Sequence, residues 1–458
     1  MGQQNDALAA LIADADEVAG CSWAGLARRV NDLGAQQGLS LRYDYTAVNR
    51  WIKRGERPRP PVPNLIAQAL SEKLGRKVTP GEFDMPDVES LAARSLEYTT
   101  DALASLETIA ELGRADLRRR EIMKAPFVLA ALAVPSRNWL LATLDELAGE
   151  RGSRRVGMSQ VDGIRQMFHL FQEMDVMRGG GHARAALIEY MNNYVLPLVK
   201  RDGHPDELQN ALYEAAAEQA YLVGWMAYDD GQHGLAQRYL IQSLRLAQAS
   251  GNATLGAHVL AGMSDQANLL GHPQEALMLA SAGQRGITAT DSPACLADLQ
   301  ILEARAHASL RDPAATAQAV IRAEQTFQHV VPANEPEWAR LIDPAYLFGE
   351  AAHCFRDLAQ PDQIDRFAAE SDQDAKRQGR ARRGALSNAA LAIAQLQRGE
   401  IEAAAARAIH VVDLAASVQS SRAVETVRDL QRQFKPYATL PAVRAFNMRA
   451  RLALGVAA

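Results

Sequence analysis

A turn recurs along the second half of this chain at a fixed interval. The strings DGQHGLAQRYL (230–240), LGHPQEALMLA (270–280), LRDPAATAQAV (310–320) and QRGEIEAAAAR (397–407) align with one another. Their equivalent positions, Gly231, Gly271, Arg311 and Gly399, are 40, 40 and 88 residues apart, and a degenerate copy, LAQPDQIDRFA (358–368), divides the last interval into 48 and 40. Each turn lies between two helical patterns, and a small residue (Ala236, Ala276, Ala404) follows five positions after the glycine. Paired helices at a fixed period cannot each bury an apolar face alone. They do so by stacking, which predicts an α-solenoid.

The turn resembles that of the tetratricopeptide repeat, in which a glycine turn precedes a small residue where two helices cross closely. Tyr221 and Trp225 in AYLVGWMAYDDGQHGLA resemble its first-helix aromatic pattern. The period here is nearer 40 than the usual figure of about 34, which implies longer helices or loops. Composition agrees: alanine and leucine dominate, aromatics are 6% of the 458 residues, and few segments are rich in Val, Ile and Thr. Such a mixture favours helices and leaves strands hard to place. Three zones are expected: a compact helical unit over 1–85, punctuated at its end by Pro80, Gly81 and Pro86; a helical connector over 86–160; and the repeats over 161–458.

The formal net charge is −5, which is no general invitation to a polyanion. The average conceals an asymmetry. Residues 22–59 carry Arg28, Arg29, Arg42, Arg50, Lys53, Arg54, Arg57 and Arg59 against Asp32, Asp44 and Glu56. Cys21, Cys295 and Cys354 are odd in number and far apart, so neither a disulfide framework nor a metal motif is expected and a reducing cytoplasm fits. The N-terminus lacks the basic start and apolar run of a signal peptide. The strongest apolar run, APFVLAALAVP (125–135), is shorter than the roughly 20 residues that a membrane helix needs, so no membrane association is expected.

Within the N-terminal zone, residues 5–19 pattern as a helix with Leu8, Leu11, Ile12 and Ala15 on one face. Ser22 can cap a second helix, SWAGLARRV, apolar at Trp23, Leu26, Ala27 and Val30. A polar segment (31–44) leads to YTAVNRWI, started by Asp44 or Thr46, with Val48, Trp51 and Ile52 inward. Thr46, Asn49, Arg50 and Lys53 are then left outside, an arrangement that suits a DNA major groove. Arginine can bond a guanine edge with two parallel hydrogen bonds and asparagine an adenine edge, so Arg50 and Asn49 are the candidates for base contact. Arg42, Tyr45 and Thr46 suit phosphates, as do Arg54, Arg57 and Arg59 past the helix end; Tyr43 completes the candidate set.

RWIKRGERPRP resembles the end of the recognition helix in the repressor-like (XRE-like) helix-turn-helix family, and LARR resembles that family's second helix. A longer segment separates the two helices here than in that family. LRYDYTAVNRWIKRGERPRPPVP, GRADLRRR and MRGGGHARAALIEYM together resemble streptomycete-type (actinobacterial) regulators that join such an N-terminus to tetratricopeptide-like repeats. That resemblance implies control of development and secondary metabolism, often by repression. The bland reading of the same residues is a basic face that binds protein.

Enzyme chemistry is not expected, nor any cofactor. RGGGHAR (178–184) lacks the Lys-Ser/Thr of a P-loop and reads as a helix-to-helix turn. The ten histidines are scattered, with no HExxH; His182, His233 and His272 fall at turns. Tyr213, Tyr221, Trp225 and Tyr228 read as repeat core, with Tyr221, Trp225 and Tyr228 on one helix face. The sharper alternative sets Tyr213, Tyr221 and Trp225 on a concave surface with Asn192, Asn193 and Tyr194, holding a peptide or small molecule.

The sequence therefore reads as an all-α protein: an N-terminal helix-turn-helix domain followed by a C-terminal tetratricopeptide-like α-solenoid. The expected function is that of a cytoplasmic transcriptional regulator of double-stranded DNA, acting as a homodimer or with a peptide, protein or small-molecule effector on its repeats. The alternatives are a peptide-responsive quorum-type receptor with the same two modules and a protein-interaction scaffold that does not touch DNA.

Overall fold

The computed structural model of the chain describes residues 5–36, 40–58, 61–83, 85, 88–99, 101–117, 127, 158–179, 183–201 and 203–456, and every secondary-structure element among them is helical. The apolar run at 125–135, apart from Phe127, lies outside the described residues, as does His182. The chain divides into two compact units, Met1–Arg94 and Ser95–Ala458.

The first unit contains α1 (Asp6–Ala19), α2 (Trp23–Gln36), α3 (Tyr45–Lys53), α4 (Val62–Leu74), a 3-10 turn (Pro80–Phe83) and α5 (Val88–Arg94). Asn5 caps α1, its Oδ1 accepting from Leu8 N at 2.8 Å. The same residue holds the unit together, donating from Nδ2 to Phe83 O (2.7 Å) and from its backbone N–H to Ile52 O (2.8 Å). Gly20, at φ 61°, ends α1 in the left-handed conformation that glycine adopts without strain. Leu8, Ile12, Leu26, Val30, Val48, Ile52, Ile66, Leu70 and Phe83 form the dry centre of this unit. The segment 31–44 departs from its expected polar-loop character, because α2 continues to Gln36. Leu33 explains the extension: it prolongs the stripe of Leu26 and Val30 and is buried with them.

The second unit includes residues 95–99 and 101–117 of the expected connector as well as the repeats. Gln242 Nε2 donates to Ser95 O (3.1 Å) and Glu97 O (3.2 Å), and α6 (Ala102–Leu117) packs within this unit. There follow α7 (Met158–Arg178) and α8 (Arg184–Tyr190), which passes through a π-helical turn (Met191–Val195) into α9 (Leu196–Val199). The remaining helices come in consecutive pairs. They are α10 (Asp206–Asp229) with α11 (His233–Ala249), α12 (Ala253–Leu269) with α13 (Pro273–Arg285), and α14 (Pro293–Ser309) with α15 (Pro313–Phe327). After these come α16 (Pro344–Asp357) with α17 (Pro361–Arg377), α18 (Ala381–Gln397) with α19 (Ile401–Ala416), and α20 (Ser421–Phe434) with α21 (Pro441–Leu454). The pairs pack on their neighbours in sequence, as an α-solenoid does.

The turn alignment has one backbone cause. Gly231, Gly271, Arg311, Ala359 and Gly399 all have positive φ, between 55° and 82°. In each case the next residue's N–H reaches back five positions: Gln232 to Ala227, His272 to Ala267, Asp312 to His307, Gln360 to Phe355 and Glu400 to Gln395. This is the Schellman closure, which satisfies the carbonyls that a helix end leaves free. Gly251 and Gly379 repeat it midway, at φ 73° and 68°. The small position five residues on is fully buried at Ala236, Ala276 and Ala404, and also at Thr316 and Ile364. The single interval of 48 holds an insertion between α15 and α16 whose 3-10 turn, Glu337–Leu341, carries Trp338 inward.

The last pairs return to the first helices of the unit. Arg382 on α18 bridges Asp175 of α7 (3.1 Å) and Asp229 of α10 (2.8 Å), while Ser420 Oγ donates to Asp229 (3.0 Å). Gln419 N–H donates to Arg178 O at 2.8 Å. Gly179, at φ 90°, permits that approach, because any Cβ there would collide with the Gln419 carbonyl. No helix among the described residues is long and apolar enough to cross a membrane.

Candidate functional site

In the first unit α3 has two unlike sides. Asp44 caps it, accepting from Ala47 N (3.0 Å) and from the Thr46 hydroxyl (3.0 Å); these bonds hold the Asp44 carboxyl below its ordinary value. Ala47, Val48, Trp51 and Ile52 are buried and fix the helix in the unit's core. Tyr45, Thr46, Arg50 and Lys53 are exposed and Asn49 is half-buried; Arg42, Arg54 and Arg57 are exposed around them. Arg59 lies outside the described residues.

Three contacts modify this picture. Tyr43 is half-buried: its ring meets Trp51 edge-on at 5.1 Å, and its backbone exchanges hydrogen bonds with the Asn31 side chain (2.9 and 2.8 Å). It serves as packing between α2 and α3. Tyr45 stacks on Trp23 at 5.3 Å, which holds its ring against the N-terminus of α2. Arg50 Nε lies 3.6 Å from Glu56, while Arg29 is fully engaged by Glu72 through two bonds of 2.7 and 2.9 Å. Among the described residues Arg28, Arg42, Lys53, Arg54 and Arg57 make no ion pair, and the basic excess of 22–59 rests on them.

A second candidate site is a cavity of about 110 Å³ within the repeat unit. Its aromatic walls are Tyr221 and Trp225 (α10), His258 (α12), Trp338 (the insertion) and Tyr346 (α16). His258 is wedged between the rings of Tyr221 (4.3 Å) and Trp338 (4.5 Å), and its buried Nδ1 has no hydrogen-bond partner among the described residues. Two helix-interior glycines admit the close approach of side chains that line it. A Cβ at Gly262 would lie 2.9 Å from the Tyr221 ring, and one at Gly349 would lie 2.9 Å from an Arg383 nitrogen.

Charge around this cavity is heavily paired. Arg380 faces Asp343 (2.9 Å), Arg382 faces Asp175 and Asp229, and Arg305 and Arg383 share Glu350, the latter at 3.0 Å. Arg422 approaches Asp265 at 3.9 Å and lies over the rings of Tyr228 (4.7 Å) and Trp225 (5.8 Å). Asp298 is the exception. It accepts from the Tyr346 hydroxyl at 2.8 Å, and among the described residues it has no ion pair. Burial raises its carboxyl to about 7; the Tyr346 bond and the nearby Arg383 oppose that rise, and Asp265 and Glu350 add to it. Burial would raise Glu350 as well, but Arg305 and Arg383 outweigh it and hold that carboxyl below its usual range. Burial pushes His258 down to about 3, so the ring is neutral.

The cavity brings together Tyr221 and Trp225 of the residues singled out in the sequence. It does not include Asn192, Asn193, Tyr194 or Tyr213. Asn192 packs on α6, where a Cβ at Gly113 would lie 2.6 Å from its Nδ2. Asn193 is exposed, Tyr194 stacks on Tyr190 at 5.5 Å, and Tyr213 is half-buried on α10. Sequence reasoning missed His258, Trp338, Tyr346, Asp298 and the arginines after Gly379. Two signals existed: the 48-residue interval that holds Trp338 and the helix-interior glycines 262 and 349.

Residues 8–86 match the family model described as the SP15 N-terminal domain. That match falls on the first unit and includes none of the repeats. No curated protein matches the chain significantly.

Proposed function

We propose that the protein is a sequence-specific DNA-binding regulator of transcription, in which α3 reads the major groove and the repeat unit receives an effector or pairs two copies. One observation carries this reading: α3 is fixed by four buried side chains and exposes Thr46, Arg50 and Lys53 beside Arg42, Arg54 and Arg57. A short, anchored, polar-faced helix with cations at both ends matches what a groove edged by phosphates accepts. The segment resembles a repressor-like recognition helix, and the regulators resembled along the chain imply repression of development or secondary metabolism in the cytoplasm. Three buried free thiols suit such a reducing compartment.

The test is an Asn49→Ala/Arg50→Ala double variant in a gel-shift assay against sites enriched by genomic DNA capture. Specific binding is expected to fall by about 100-fold, at one to three kcal/mol per lost bidentate contact. Residual binding should keep its salt dependence, since Arg42, Lys53, Arg54 and Arg57 remain. Unchanged operator affinity would remove α3 from the role of reader.

A further inference from the structure

We propose that the cavity of the repeat unit is a receptor site for a small organic ammonium ion, with Asp298 as its counter-charge and Tyr221, Trp225, Trp338 and Tyr346 as its aromatic walls. The inference rests on reading the repeat unit as the receiver of an effector; it does not depend on DNA binding by α3.

The argument is one of charge and shape. Arg380, Arg382, Arg383 and Arg422 line the cavity, and all four are already engaged by carboxylates, Arg383 sharing Glu350 with Arg305. An anionic ligand would have to displace one of those carboxylates inside a low-dielectric site, which leaves a buried charge uncompensated. Asp298 is the carboxylate without an ion pair among the described residues, 4% exposed, with a phenol for a partner and Asp265, Glu350 and the Glu350-paired Arg383 nearby. A cation answers that surplus. The walls suit it too, because the faces of Trp and Tyr attract alkylammonium groups. The neutral His258 between Tyr221 and Trp338 adds no competing charge. A volume of about 110 Å³ suits a headgroup or a single small ring.

Proton linkage follows from the same geometry. Asp298 on α14 is faced by Tyr221 (α10), Asp265 (α12), Tyr346 and Glu350 (α16) and Arg383 (α18), with Cys295 on its own helix. Its carboxyl, raised to about 7, is largely protonated in mildly acidic solution and must lose that proton to meet a cation. Ammonium affinity should therefore rise with pH up to about 7 and level off above it, with proton release on binding.

The experiment is titration calorimetry on the full chain with four probes of similar shape in three charge states. The probes are choline, 3,3-dimethylbutylamine, 3,3-dimethylbutan-1-ol and 3,3-dimethylbutanoate. Choline or the amine should bind about tenfold or more tighter than the alcohol, and the carboxylate should not bind. Asp298→Asn, which preserves shape and the Tyr346 hydrogen bond, should abolish that preference. The charge series on the unaltered protein stands by itself if this variant does not fold. Equal binding of alcohol and ammonium, or tighter binding of the carboxylate, would overturn the ligand class while leaving the site as a receptor. Absence of heat from all four would overturn both the ammonium site and this cavity's role as receiver, and the gel-shift result would be untouched.

Discussion

Arg50 and Glu56 face each other across the end of α3, 3.6 Å apart and both about half exposed. An exposed pair of this kind contributes little, about 0.2–1 kcal/mol, yet it must open before Arg50 can reach a base. Glu56→Gln is therefore expected to strengthen DNA binding about two- to fivefold, and a gel shift at two salt concentrations checks it. Weaker binding would mean that Glu56 positions Arg50 for its target. At this scale the inward side of α3 was legible, because Val48, Trp51 and Ile52 recur at helical spacing and are buried. Tyr43 was not, because it precedes the helix and no period governs it. Its place is set by Asn31, which is fixed in turn by the unforeseen last turn of α2.

The repeated turn explains why the elements were readable and where they were not. A Schellman closure demands a left-handed residue at one position, and glycine fills that position at three of the five aligned turns. Arg311 (φ 62°) and Ala359 (φ 55°) hold the same conformation without glycine's freedom, and both are exposed. The left-handed region costs an L-residue roughly 1–2 kcal/mol. Arg311→Gly and Ala359→Gly should each stabilise the repeat unit by about 1 kcal/mol, whereas Gly271→Ala should destabilise it by a similar amount. Urea unfolding midpoints report the difference; a destabilising Ala359→Gly would show that helix-end entropy outweighs the relieved strain. The end of α2 escaped the sequence because Asn31, Asp32, Gly34 and Gln36 have loop composition, and Leu33 alone kept the helical period.

For the molecule as a whole, the closing of the second unit on itself was the least legible feature. Periodicity shows which residues of one helix share a face, but says nothing of which distant helices meet. The cavity collects side chains from α7, α10, α12, α14, α16, α18, α20 and the insertion, so its composition follows from the return of the late pairs to the early ones. Arg382 is the centre of that return, and Arg382→Met would remove the guanidinium that bridges the buried Asp175 and Asp229, a loss of about 3–5 kcal/mol. Burial already raises the Asp175 carboxyl, so the folded form of the variant binds a proton more readily than the unfolded chain. Stability of a group raised in the folded state falls as pH rises. The variant should therefore recover part of its loss on mild acidification, as denaturant titrations at two pH values would show.

The clasp also has a consequence in time. Asp175 is separated from Arg382 by 207 residues, and Asp229 from Ser420 by 191. At about 5–20 residues per second, Asp175 waits roughly ten to forty seconds on the ribosome for its cation. The first unit has no such delay, since its core is complete within its first 94 residues. Each newly made chain thus owns its α3 surface well before it owns a cavity, and ligand can act only on molecules whose synthesis has passed Arg422.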